Sequence, residues 1–490
     1  MKISRNAFSI KLEELSKLSK FDEILALLTD EEMVRDKAMT SELYVWRGNT
    51  YYNKKEYDKA IADYDEVIKI NPNSEIAFLN RGLAWVANKE YNKAIADFDK
   101  VIEINPHSAR AYFNRASVLR VLNDYDKAIV DYDRAIEIDS EYADAYYSRG
   151  LAKVERNIDL EGSKHDFEEY LELTILENNV WSDYANYYIE DLNERINDKE
   201  LSFIADLVSK IKDILRIDDD CITHYSSLSV LKSLIFEKSK FRISEGSFMN
   251  DPSEGTVFFD FLEYKFYSSS KDGSFSETFS PKPFIGSFVT KDKYDDLNMW
   301  RFYGKEEGVE AKGCAITLHM HKFIENISSS LLKAEEDFLK YKSDINFYRV
   351  AYIEHGSAIF LIPNIVPEKS VKLNKLMVEL IEKVKNYKVK DKTSLEKYLN
   401  NIAFLFKSDS YKNENEVRLV IKGIEFVKKY NMDVTPPRVY IELEPIKKIV
   451  EQITLGPKVD KAKEWASAFH FRYKGEDKAP EIKISHLPYK

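Results

Sequence analysis

Over the first third of the chain, small and aromatic positions return every 34 residues against a polar background. Arg47-Gly48, Arg81-Gly82, Arg115-Ala116 and Arg149-Gly150 mark the steps. Tyr57, Tyr91 and Tyr125 keep the same phase, as do Ala60, Ala94 and Ala128, then Tyr64, Phe98 and Tyr132, then Pro72 and Pro106. This period predicts a solenoid of helix pairs, each burying its apolar face by stacking on the next. Small residues let two helices approach, aromatics fill the space between units, and proline ends the second helix. A fourth unit drifts, with Gly162 in place of the alanine and Asp166 at the aromatic position beside Phe167. "KFDEILALL" at Lys20–Leu28 echoes a second helix and is expected to cap the array. "WSDYANYYIEDLNERI" and "ELSFIADLVSKIKDIL" read as amphipathic helices leading onward.

From Cys221 the pattern changes to apolar, β-branched runs ("CAITL", "VRLVI", "RVYIEL") among helical stretches such as "VKLNKLMVELIEKVKNY". The expected organisation is a helical cap over 1–40, repeats over 41–173, linking helices over 174–220 and an α+β domain over 221–490. The fold class is thus multidomain, an all-α superhelix followed by an α+β domain. Regular βαβ alternation and a Gly-rich phosphate loop are missing, which argues against a Rossmann site. Read as a strand, "NENEVRL" puts Glu414, Glu416 and Arg418 on one face, either a solvated ion-pair ladder or an active site.

Composition narrows the classes. A chain of 490 residues that is 44% hydrophobic can bury more than one core. Its net charge of -11 argues against generic nucleic-acid binding, and "KVKNYKVKDK" reads as a solvated helix end. Two cysteines, Cys221 and Cys314, make no disulfide framework and no zinc spacing, which favours a reducing cytoplasm. The first twenty residues lack a secretion signal, and "AIFLIPNIVP" is too short and proline-broken to span a bilayer.

On the residues quoted above, Ser41–Leu173 resembles the tetratricopeptide repeat family. The resemblance implies a concave groove for a protein or peptide partner, lined by Asn49, Leu79, Asn80, Leu83, Arg110, Phe113 and Arg120. Asn49, Asn80 and Arg110 partly match the family's carboxylate clamp, whereas Val45 and Asn114 stand where that clamp carries cations.

In the second half, "ITHYSSLSVLKSLIFEKSKFRIS", "FMNDPSEG", "FIGSFVTKDKYDDLNMWRFYGKEEGVEAKGCAITL", "SDSYKNENEVRLVI" and "QITLGPKVD" follow in order. Together they resemble the domain-of-unknown-function family numbered 2971, which implies no chemistry by itself. The series His224, then Ser287-Phe288, then Glu416 is also similar to the three-part pattern of ADP-ribosyltransferases. That likeness implies NAD as cofactor, held by His224. Ser287 and Phe288 would shape the nicotinamide pocket, Glu416 would be the catalytic carboxylate, and Glu414 would orient or deprotonate the acceptor. Arg418 would keep the glutamates ionised or bind a phosphate. Two other readings stay open: a non-catalytic adaptor or sensor, and a Mg²⁺ phosphodiesterase or nuclease site of Asp251, Glu254, Glu414 and Glu416. Met299, Trp300 and Tyr303, at helical spacing, read as core anchors.

Overall fold

The computed structural model describes residues 5–28, 37–175, 180–217, 219–237, 239–245, 256–262, 283–306, 308–331, 345–354, 359–363, 365–387, 392–421, 429–431, 438–443, 445–476 and 479–488. The chain divides into two compact units, Met1–Asn193 and Glu194–Lys490.

In the first unit, α1 (Arg5–Lys17) and α2 (Phe21–Leu27) precede the paired helices α3 (Lys37–Asn53) and α4 (Tyr57–Ile70), α5 (Glu75–Ala87) and α6 (Tyr91–Ile104), α7 (Ala109–Val121) and α8 (Tyr125–Ile138), and α9 (Ala143–Arg156) and α10 (Leu160–Leu173). The glycines set the helix approach. A Cβ on Gly48 would stand 2.7 Å from the Tyr64 ring, and one on Gly82 would stand 2.6 Å from Phe98. Between paired helices, Lys55, Lys89, Asn123 and Asn157 all take left-handed backbone, with φ from 54° to 63°, so the turn recurs with the same period. At the front, Ile24 and Leu28 pack with Leu12, Leu15 and with Leu43 of the first pair.

An ionic ladder runs through the stack. Arg81 makes two bonds to Asp97 of its own pair, 2.9 Å from Nε and 2.6 Å from Nη2, and a third at 2.5 Å to Asp65 of the preceding pair. Arg115 repeats this with Asp131 and Asp99, and Arg149 with Asp166 and Asp133. The fourth unit corrects the sequence reading. Asp166 is not at the aromatic position: it holds Arg149, 17 residues away rather than 16. Phe167 is the ring that meets Gly150, and buried Ser163 takes the small-residue place expected of Gly162. Beyond Arg156, both Asn157 and Asp159 are left-handed, and the one added residue shifts the phase of α10.

The second unit is α+β. Apart from the two-residue strands Lys305–Glu306, Val309–Glu310 and Phe360–Leu361, its described strands are β1 (Cys221–Ser226), β2 (Phe241–Glu245), β3 (Phe284–Thr290), β4 (Cys314–His319), β5 (Ile345–Arg349), β6 (Ala351–Ile353), β7 (Phe406–Ser408), β8 (Glu416–Ile421), β9 (Lys429–Asn431), β10 (Arg438–Leu443), β11 (Val450–Leu455) and β12 (Glu481–Ile484). The large sheet runs β9-β10-β2-β3-β1-β4-β11-β12, and β8 pairs with β3 and β5. One edge of β3 is taken by β8; the other is shared by β2 at its start and β1 at its end. β7 lies parallel to β6 in a separate small sheet.

Both faces of β8 are covered. Val417, Leu419 and Ile421 enter one core with Phe288, Phe323 and Phe347. Val420 enters a second core with Leu373, Met377 and Leu380 of a long helix (Pro367–Asn386) and with Leu207, Val208 and Ile211. Those last three belong to the second linking helix (Lys199–Leu215), which is therefore an integral wall of the second unit. A strand covered on both sides has no solvated face, so any charge on it must be paired.

Candidate functional site

"NENEVRL" is only partly a strand. Asp409–Glu414 forms a 3-10 turn, Asn415 is left-handed (φ 48°), and pairing starts at Glu416. Glu414 therefore does not share a strand face with Glu416 and Arg418. It reaches them through Lys407, whose Nζ lies 3.0 Å from Glu414 Oε2 and 2.9 Å from Glu416 Oε2.

Register builds the rest. Arg418 stands opposite Ser287 on β3 and Tyr348 on β5, and Glu416 stands opposite Val289, so Ser287, Glu416 and Arg418 project to one side. On the small sheet Lys407 stands opposite Tyr352, which turns both toward the same carboxylate. Ser287 Oγ donates to Glu416 Oε1 at 2.5 Å, and Arg418 donates to both oxygens, Nε to Oε1 at 2.9 Å and Nη2 to Oε2 at 3.2 Å. Arg418 also donates from Nη1 to the Phe404 carbonyl. The Glu416 amide donates to the Tyr352 hydroxyl at 3.0 Å, and Tyr303 donates to Glu414 Oε1 at 2.8 Å.

All four charged side chains are buried, and two anions face two cations. Burial alone would raise the Glu416 pKa, but the Arg418 and Lys407 charges outweigh it and hold the group at about 2. Burial likewise pulls Lys407 down, yet Glu416 and Glu414 push it above the ordinary lysine range. An ionised carboxylate offers about four acceptor positions, and Glu416 fills them with Ser287, Lys407 and two Arg418 nitrogens. Glu414 accepts one bond on each oxygen. Acceptor capacity thus remains on Glu414, beside the partly exposed Tyr303, rather than on Glu416.

His224 is on the next strand with its ring on the opposite face, against Phe241 and Phe288, each with its centroid 5.5 Å away. Its Nδ1 donates to the Ser287 carbonyl at 3.0 Å, and burial pushes its pKa below the ordinary histidine value. Phe288 is core, with ring contacts to Phe241, Phe323 and Phe347. The structure therefore brings Ser287, Glu416, Glu414 and Arg418 together and keeps His224 and Phe288 on the other side of the sheet. Trp300 and Met299 are buried anchors, with Trp300 Nε1 donating to Asp295 at 2.7 Å. Asp251 and Glu254 lie outside the described residues, among which no group of three His, Cys, Asp or Glu could hold a metal ion. Nor is any described helix long and apolar enough to cross a membrane.

Sequence reasoning missed Lys407 and Tyr352. Lys407 follows the apolar run "IAFLF", and a lysine buried there needs an acidic partner.

Along the repeats, Asn49 Oδ1 accepts from Tyr64 at 2.7 Å and from Asn80 Nδ2 at 3.0 Å. Asn114 Nδ2 is buried without a partner among the described residues, and Arg110 is exposed. Leu83 and Phe113 are half-buried. Leu79 is buried, and so is Arg120, whose Nη1 donates to Glu155 at 2.9 Å. These two stiffen the stack instead of lining an open groove.

The comparisons agree with this division. Tetratricopeptide repeats occupy residues 41–74, 76–108, 98–130 and 116–155, and residues 299–419 match the family described as "Protein of unknown function (DUF2971)". The chain therefore joins a tetratricopeptide repeat array to a DUF2971 region, the latter matched over a narrower span than 221–490. No curated protein matches. Among solved structures, MamA 41-end from Desulfovibrio magneticus RS-1 is 21% identical, covering 36% of this chain and 97% of its own, with TM-score 0.32. YrrB, "a TPR protein with an unusual peptide-binding site", is 19% identical over 36% of this chain and 88% of its own, with TM-score 0.30. The first TPR of Spaghetti (RPAP3), bound to HSP90 peptide SRMEEVD, is 25% identical over 25% and 94%, with TM-score 0.23.

Proposed function

We propose that the chain is a protein-recognition adaptor whose repeats hold an extended peptide along the first helices of the pairs. The observation that carries this is the buried Asn114 Nδ2, without a partner among the described residues and at the same repeat position as Asn80. An orphan donor inside a protein costs free energy that a ligand's carbonyl or carboxylate oxygen would recover. The Asn49–Asn80 pair continues that polar row, and Arg110 supplies a cation for an acidic group. On this reading the second unit's charge cluster is architectural, because its central carboxylate has no acceptor position to spare. The test is affinity capture with the full chain, followed by peptide arrays of the captured protein. Replacing Asn114→Leu and Arg110→Glu together should abolish capture while the array stays folded by circular dichroism. Unchanged capture overturns the assignment.

A second reading, NAD cleavage, is favoured by one contact, the hydrogen bond between Ser287 and Glu416 on paired strands. The residues fit it only in part, since His224 faces away from Glu416. Nicotinamide release from NAD by the purified chain, alone and with a captured partner, tests it; no release and no rise in melting temperature with NAD removes it.

A further inference from the structure

We propose that a groove beside the start of the helix Pro367–Asn386 binds a single-chain amphiphile with a carboxylate head, such as a free medium- or long-chain fatty acid. The groove has a volume of about 570 Å³ and is lined by Leu361, Ile362, Pro363, Ile365, Pro367 and Val371. Among the described residues its polar lining is Ser370 and Lys412. An apolar wall with few polar groups is the kind of lining small-molecule sites have, here in a groove open to solvent along its length. Val366 and Val371 are 60% and 70% exposed beside it, so apolar surface stands in water where a hydrocarbon chain would cover it. Charge selects the head. Lys412 is exposed and, among the described residues, has no ion-pair partner and is the one charge in the groove's lining, on a chain whose net charge is -11. A carboxylate beside Lys412 completes an ion pair and an alkyl tail covers Val371. A cationic head would meet like charge.

Isothermal titration of the full chain with octanoate, decanoate and dodecanoate tests this. Affinity should rise about two- to fourfold per added methylene, as burial of that group requires. Lys412→Glu should weaken dodecanoate about tenfold or more, Lys412→Arg should keep binding, and Val371→Asp should lose the chain-length dependence. Both positions are exposed, and unchanged melting temperatures confirm that the fold is intact. Equal binding of dodecyltrimethylammonium, or an unaffected Lys412→Glu variant, overturns the proposal. So does binding to anionic vesicles without binding to free dodecanoate, or self-association abolished by Val371→Asp, either of which would give the groove another occupant.

Discussion

Ser287 donates its hydroxyl to Glu416 across 2.5 Å, joining two residues 129 positions apart on neighbouring strands. The bond occupies the last acceptor position of a carboxylate already held by Lys407 and Arg418, and it closes the cluster on the β3 side.

Glu416→Gln should therefore act first on stability. It takes away the buried carboxylate that both Lys407 and Arg418 hold, and removing one partner of such a pair typically costs about 3–5 kcal/mol. Ser287→Ala, which removes one hydrogen bond to a charged group, should cost about 1.5–3 kcal/mol. Urea unfolding that follows the second unit's transition measures both. A Glu416→Gln protein as stable as wild type would show that the cluster does not hold the fold.

The same residue sets an acid limb. Glu416 sits at about 2 in the folded state, below the ordinary glutamate value of 4.5. The unfolded chain thus binds more protons between these values. Stability from this group is complete above about pH 4.5 and falls as the pH drops toward 2. The loss should be on the order of 3 kcal/mol. Urea midpoints of the second unit at pH 7, 5, 4 and 3 should fall across that window, with a shallower fall in Glu416→Gln.

The array was legible because its recurring residues are packing residues whose partners lie at a fixed distance along the chain. Gly48 with Tyr64 and Gly82 with Phe98 repeat one contact, so period alone reveals it. One added residue before α10 was enough to mislead the fourth unit, since phase carries no record of where a turn lengthens. In the second half the partners are set by strand register. Nothing local says that Ser287 lies opposite Arg418, or that His224 turns to the other face. Glu414 fell off the strand because Asn415 adopts left-handed backbone, a conformation asparagine tolerates but does not announce. The lesson for Lys407 is different: its apolar surroundings were visible, and only the identity of its acids was not.

Asn374 should guard a strand edge. Its side-chain amide accepts from the Phe360 amide at 2.8 Å and donates to the Phe360 carbonyl at 3.1 Å, standing in for a neighbouring strand beside Phe360–Leu361. Asn374→Ala unpairs both backbone groups, at about 1–3 kcal/mol, and opens an edge to other chains. Faster amide exchange at Phe360 and concentration-dependent aggregation on mild heating are expected. Unaltered exchange there would mean that water replaces the amide without cost.

The ladder in the repeats separates buried from exposed rungs within a single guanidinium. Arg81 meets Asp97, whose side chain is 6% exposed, and Asp65, whose side chain is 42% exposed. Asp97→Asn strips the buried carboxylate from the Nε and Nη2 fork of Arg81, and should cost about 3 kcal/mol. Asp65→Asn removes a solvent-screened contact between successive pairs and should cost less than about 1 kcal/mol, an amount that 0.5 M salt erases. Arg81→Lys is not conservative here, because an ammonium cannot make the two-nitrogen contact to Asp97 while also reaching Asp65. Its cost should fall between those of the two aspartate variants. Thermal unfolding of the array, read by helical circular dichroism in low and high salt, orders the three variants. Equal losses from Asp65→Asn and Asp97→Asn would show that stacking between pairs depends on the exposed rung as much as on the buried one.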